Sequence, residues 1–417
     1  MKKLLGNRNF LFLVIGQVIS LFGSGIQRFA MSLYLLDLTG NASIFANILA
    51  LSIVPIIVLS PFAGILSDRA DRRKIMIVLD LLSGLCIAMY ALVLFQGKDN
   101  DWIAGGVMMI LSGISTLYQP AVNASIPLIV KDEELTSANG VVAQVGSLSN
   151  FFGPILAGIL YGVFGIQVVI CLNAVSFFAS AVLECFLDIP FVKPEKSKVS
   201  PVKLFVLEIK EGVHYLKNEN KHVLRLVEAS GMYNLFLVPV FSVCTPYIIK
   251  VMLAMPSEVY GVSEGIMVIG MIAGGMFISA RPNFLGIRRI YCVSYAMSAA
   301  MWFMAGSLLV MPMDSREGRF GMLACMTVGI AVIMFALGVA NVIQMTFIQR
   351  TTKPQMLGKV MAFSTAIATM CVPLGQILYG KLVDQFAGQM ALLVFVSGVC
   401  TLGVTLFVRW SVRKIEE

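Results

Sequence analysis

Charge is scarce in this 417-residue sequence: 13% of residues are Asp, Glu, Lys or Arg, against 58% that are hydrophobic. A water-soluble fold needs far more charge to cover its surface, so the chain reads as a polytopic membrane protein. Histidine is scarcer still, with His214 and His222 alone. There is no H-E-x-x-H and no clustered set of acids, so no metal is expected. The G-x-x-x-x-G-K-[ST] phosphate loop is also absent, which argues against direct use of ATP. No intramembrane nucleophile or acid pair stands out, so neither an enzyme nor a cofactor is expected. The eight cysteines all fall in apolar runs and never form C-x-x-C; they read as small buried hydrophobes. A net charge of +8 suggests nucleic acid in a soluble domain. The clustered basic face with interleaved aromatics that such binding requires is missing, and no nucleic-acid partner is expected.

What is present is a series of long apolar runs. A membrane-spanning helix needs about 20 mainly apolar residues, and twelve such segments can be counted between residues 9 and 409, with the fifth and sixth at 138–163 and 166–188. Met-Lys-Lys and the apolar run behind it imitate a secretory signal. The run from Phe10 to Leu36 is too long for a signal h-region, and it is kept as the first span. Connectors are short except the one from Ile189 to Lys221. The expectation is an all-α membrane protein with twelve transmembrane helices in two six-helix pseudo-repeat bundles: residues 1–188, a cytosolic linker 189–222 and residues 223–417. With a cytosolic N-terminus, 25 of the 31 Lys and Arg residues lie on inner loops and five on outer ones, leaving Arg28 inside a helix. The positive-inside rule then puts both termini in the cytosol of a multi-pass protein of the cell (plasma or inner) membrane.

Inside the linker, Phe205, Val206, Ile209, Val213 and Leu216 recur at helical spacing opposite Lys203, Glu208, Lys210, Glu211 and Lys217. This suits a helix lying on the inner membrane surface, or a simple tether between the halves.

Polar residues within the spans mark a candidate cavity. In the first span Gln17, Ser20, Ser24, Gln27, Arg28 and Met31 recur in steps of three and four, forming one stripe. An arginine near a helix centre costs about 2.5 to 3.5 kcal/mol on insertion scales and usually turns to a water-filled cavity or a partner. Tyr118, Gln119, Gln144, Asn234 and Asn341 extend the set; each is also suited to an interhelical hydrogen bond. Asp80, Glu184 and Glu228 sit near inner helix ends and Glu264 near an outer one, as interfacial charges. Asp80 and Glu264 double as candidates for proton coupling. In the fifth span Gly146, Gly153, Pro154 and Gly158 free one face for close packing and remove a backbone hydrogen bond, allowing a bend.

The stretch Gly64-Ile-Leu-Ser-Asp-Arg-Ala-Asp-Arg-Arg-Lys74 is a charged hairpin between two apolar runs. It resembles the loop between helices 2 and 3 of major facilitator superfamily transporters, G-x-x-x-D-R-x-G-R-R/K, with Asp71 where the pattern has its second glycine. Ile126 to Asn139, Gly153-Pro154, Glu211-Gly212, Ile348 to Pro354 and Gly358-Lys-Val360 are similar to the drug:proton antiporter-3 branch, which contains the macrolide efflux proteins. The resemblance implies two bundles around a central cavity and export of amphiphilic small molecules by proton antiport. It also implies gating by Gly64, Asp68, Arg69, Arg72, Arg73, Gly153 and Pro154, with the charged hairpin tied to the loop between helices 10 and 11. The protein is expected to act as a monomer in the lipid bilayer. Ser24 stands where relatives often carry an acid, and the fourth span lacks the arginine of other drug-proton antiporters, so the proton carrier stays open. The alternative is a lipid or lysophospholipid transporter not coupled to protons, with Arg28 at the headgroup.

Overall fold

The computed structural model describes residues 6–190, 201–281, 284–312 and 315–413, without the side chains of Ile65, Asp68 and 201–205. Helices dominate. The first four are α1 (Arg8–Thr39), α2 (Ala42–Arg69), α3 (Arg72–Phe95) and α4 (Asp101–Ile129). Their ends are set locally. Asn100 accepts a hydrogen bond from the Ile103 amide at 2.9 Å to start α4, and Asp71 accepts from the Lys74 amide to start α3. Asp71 has φ −62°, an ordinary backbone conformation. The position where the family pattern has glycine is therefore a helix cap here and asks for no left-handed turn.

The next helical stretch runs from Leu135 to Glu184. At 1.5 Å per residue its 50 residues would span about 75 Å, more than twice a bilayer core. It divides at Gly165, whose φ of 76° breaks the helix and is strained for any residue with a side chain. The two arms, α5 (135–164) and α6 (166–184), are separate crossings. Among the described residues eleven stretches are long and apolar enough to cross a membrane; division at Gly165 raises the count to the expected twelve. Gly153 and Pro154 keep helical dihedral angles, Gly165 being the one non-helical residue within this stretch.

The remaining elements are α7 (Pro201–Asn218), α8 (Lys221–Phe236), α9 (Ser257–Ala280), α10 (Ile290–Val310), α11 (Arg316–Thr351), α12 (Pro354–Gln385) and α13 (Met390–Val412). Beyond α8 the chain continues through two wide π-helical turns, Val240–Cys244 and Ile248–Met252.

Two compact units emerge. The first holds Met1–Leu38, Leu51–Leu204 and Pro256–Val262, the second Thr39–Ala50, Phe205–Met255 and Ser263–Glu417. The core of the first gathers Phe10, Leu13, Met76, Leu79, Val122 and Ile126 from α1, α3 and α4. Within the second, the Asp384 carboxylate at the end of α12 accepts from the amides of Ala42 at 2.9 Å and Ser43 at 3.0 Å, capping the start of α2 from 341 residues away.

The connecting helix α7 is covered by protein along its C-terminal part only. Its buried Tyr215 and Leu216 pack with Val223, Val227, Ile348 and Val360 of the second unit, while Val206 and Leu207 are exposed. Phe205 and Lys203 lie outside the described side chains. Gly212 lets α7 approach the backbone of α12 closely: a Cβ there would stand 2.9 Å from the Lys359 carbonyl oxygen. Ion pairs Glu211–Lys359 and Glu219–Lys353 flank the seam.

Candidate functional site

Small residues let α1 run deep in the first unit. A Cβ on Gly23 would collide with the Ser176 and Asn173 side chains of α6. Gly153 of α5 comes so near Gly25 that its own Cβ would lie 3.5 Å from the Gly25 carbonyl carbon. Close backbone approach of this kind is what small residues permit between membrane helices. The Ser149 hydroxyl completes the α1–α5 seam by donating to the Leu21 carbonyl at 2.7 Å.

The polar stripe of α1 then divides. Gln27 is buried, bonded to the Asn173 amide and donating to the Met31 sulfur at 3.0 Å. Gln17 is buried too, its Nε2 donating to the Tyr118 hydroxyl at 2.9 Å. That hydroxyl in turn donates to Glu184 Oε1 at 2.6 Å. Gln17, Gln27 and Tyr118 are thus corrected from wall residues to a bonded interior of the first unit, because α4 and α6 close over that part of α1. Ser24 is half-buried, and Arg28, one residue beyond Gln27, is exposed.

The other predicted residues scatter. Gln119 is half-buried and Gln144 exposed in the first unit. Asn341 of the second unit is exposed, whereas Asn234 donates to the Ala368 carbonyl at 3.1 Å and joins α8 to α12. Of the hairpin residues, Gly64 and Arg69 are exposed, and nothing lies within 4 Å of a Cβ added at Gly64. Arg72 Nε donates to the Ser67 carbonyl at 2.9 Å, and the Arg73 guanidinium to the Cys185 carbonyl beyond α6. The Asp68 side chain lies outside the described residues. Pro154 is half-buried, and its carbonyl would stand 2.6 Å from a Cβ on Gly261 of α9.

The acids carry the main correction. Asp80 and Glu184, read as interfacial charges, are each 2% exposed. Glu264 is half-buried and Glu228 exposed, as their places near helix ends suggest. The polar face of α6 was not picked out, although Asn173, Ser176, Ser180 and Glu184 recur in steps of three and four, the same signal that marks α1. Also missed was a groove of about 660 Å³ along the α7–α12 seam, whose lining mixes Glu211, His214, Glu219 and Lys353 with Tyr215 and Met356.

Known proteins resemble the chain over most of its length. The sequence profile of the Major Facilitator Superfamily matches residues 13–371. Macrolide efflux protein A of Streptococcus pyogenes is 26% identical over 370 residues, 89% of this chain and 88% of that protein. Macrolide efflux protein A of Enterococcus faecalis is 26% identical over 336 residues, 81% of this chain and 99% of that protein. The crystal structure of the nucleoside transporter NupG superposes with a TM-score of 0.73 at 14% identity, covering 98% of this chain and 99% of that one; at that identity it speaks for the fold alone.

Proposed function

Because the chain belongs to the Major Facilitator Superfamily, we propose that this transporter exports amphiphilic small molecules from the cytosol by alternating access, in exchange for protons. The observation that carries the reading is Arg28. It sits in the interior of a 32-residue apolar helix, deep among protein atoms yet with its own surface open, while its neighbour Gln27 is buried. A guanidinium exposed at that depth belongs in water rather than in hydrocarbon. A water-filled cavity with one fixed cation and the half-buried Ser24 and Gln119 suits amphiphiles carrying polar or anionic groups. Support for macrolide-like cargo comes from the two efflux proteins similar to four-fifths or more of the chain. Placement in the cell membrane with both termini cytosolic rests on the Lys and Arg bias of the loops.

The test is efflux of a macrolide, ethidium and a lysophospholipid from cells expressing wild type or Arg28→Ala at matched levels, with and without a protonophore. Efflux of the macrolide or the dye that collapses with either the mutation or the protonophore is expected. Export of the lysophospholipid alone, insensitive to the protonophore, would replace this reading with a lipid transporter.

A further inference from the structure

Three acceptor oxygens without a donor meet in the interior of the first unit. Glu184 Oε2, Asp80 Oδ2 and Gln17 Oε1 are all buried without a hydrogen-bond partner. Their residues are exposed by only 2%, 2% and 1%. Glu184 Oε1 accepts from the Tyr118 hydroxyl, whose one proton is thereby used, and Tyr118 accepts one N–H of Gln17 Nε2. Ser180, within reach of Asp80, donates to the Gly16 carbonyl at 3.3 Å. Glu184 lies close enough to Asp80 to feel its charge, and Tyr118 lies near both acids.

The surroundings supply no counterion. Phe10, Leu13, Met76, Leu79 and Val122 make up the apolar packing. Among the described residues no Lys or Arg is ion-paired to either acid. On the helices packed here, Arg73 is bonded to the Cys185 carbonyl, Arg72 to the Ser67 carbonyl, Lys74 pairs with Asp71 at 3.8 Å, Tyr90 donates to Asp99, Arg8 stands over the Phe12 ring at 5.3 Å and Arg28 lies eleven residues along α1 from Gln17; the thiols nearby are those of Cys86, Cys171 and Cys185. Two ionised carboxylates sharing such a place are strongly disfavoured, by lost hydration and by mutual repulsion. One added proton on either acid lowers the charge and supplies one donor to a cluster of acceptor oxygens that has none to spare.

We propose that Asp80 and Glu184 together form the proton-carrying site of this transporter, holding one proton between them in this arrangement, with Tyr118 and Gln17 as positioning residues. This rests on the antiport reading above. A proton taken from the outer side converts one carboxylate to the acid, and the same proton leaves to the cytosol when the helices part; no other bond changes. Coupling to cargo runs along α1. Gln17 and Arg28 are eleven residues apart, three turns and about 16 Å along one helix face, so a shift of α1 acts on both ends. Glu264, the other sequence candidate, lies on α9 in the second unit.

The experiment uses purified full-length protein in liposomes, with a radiolabelled macrolide as probe. Asp80→Asn and Glu184→Gln should retain macrolide exchange without a gradient and lose the additional accumulation that a pH gradient drives in wild type. Gradient-driven accumulation at the wild-type level in both variants would overturn the site while leaving antiport intact. Wild-type exchange that ignores a pH gradient would overturn antiport and the site with it. A second measurement needs no transport. Infrared spectra of wild type should show a protonated-carboxyl band that persists at neutral pH and disappears in either variant; its survival unchanged in both would refute the assignment. Tyr118→Phe should move the pH at which that band titrates, a shift that a merely structural tyrosine would not cause.

Discussion

Gly158 of α5 and Gly261 of α9 face each other within the first unit with no side chain between them. A Cβ on Gly158 would stand 3.0 Å from the Gly261 Cα and 2.5 Å from the Ser257 carbonyl oxygen. One on Gly261 would stand 2.6 Å from the Pro154 carbonyl oxygen. The obstacles on both sides are backbone atoms, which cannot turn aside as a flexible side chain does. Gly158→Ala and Gly261→Ala should each destabilise the purified protein by about 1 to 3 kcal/mol, the usual cost of overpacking. Gly146→Ala on the same helix is the control, since nothing lies within 4 Å of its added Cβ. Thermal unfolding in detergent reads the difference, and equal melting temperatures for all three would show that the crossing yields freely.

Asp384 offers a second test because its two carboxylate oxygens serve two consecutive amides, those of Ala42 and Ser43. Both amides belong to the first turn of α2 and have no partner within their own helix. Asp384→Ala leaves these donors unsatisfied and removes a negative charge from the positive end of the helix dipole; the loss should be about 1 to 2 kcal/mol. Asp384→Asn, which keeps one acceptor oxygen, should recover part of it. Amide hydrogen exchange at Ala42 and Ser43, rising in the order wild type, Asn, Ala, is the measurement. A flat response would mean that water caps this turn equally well.

Which features were legible in the sequence follows from what a linear pattern carries. Arg28 stands out because one cation in a long apolar run is costly wherever it points, and the structure does leave it exposed. The gap between the fifth and sixth spans is read from their combined length and falls at Gly165, where the positive φ lies. By contrast, the site proposed at Asp80 and Glu184 combines acids 104 positions apart, the second bonded to a tyrosine on a third helix. Periodicity gives each helix its polar face without naming the face that meets it. The same limit applies to α7, whose amphipathic spacing is plain, yet the cover over Tyr215 and Leu216 is protein and not lipid. Asp71 is the converse case. It breaks a family pattern on paper and satisfies the local geometry as a cap.

Neighbouring residues of α1 should respond oppositely to truncation. Gln27 is bonded to Asn173 in the unit's interior, so Gln27→Ala strands a buried amide and should cost about 1 to 3 kcal/mol of stability. Arg28→Ala removes an exposed side chain with no buried partner to strand, and its effect on stability should stay within about 0.5 kcal/mol. Transport should show the reverse order at matched amounts of folded protein. A melting temperature lowered as much by Arg28→Ala as by Gln27→Ala would place the guanidinium in the packing rather than in water.

The docking of α7 should be insensitive to pH across the physiological range, for a reason that fixes the sign. The Glu219 carboxylate, bonded to Lys353, raises the pKa of that ammonium above its ordinary value. A cation whose pKa is raised by folding contributes fully below its unfolded value and loses the contribution only as pH climbs through the folded one. Protection of α7 amides against hydrogen exchange, corrected for intrinsic rates, should therefore be flat from about pH 6 to 9 and fall only in strong alkali. Gly212→Val should abolish that protection at every pH, because its side chain meets the Lys359 carbonyl whatever the charge on Lys353. Release of α7 in wild type near neutral pH would show that a group other than Lys353 controls the seam, and His214, which lines the same groove, is the one to replace next.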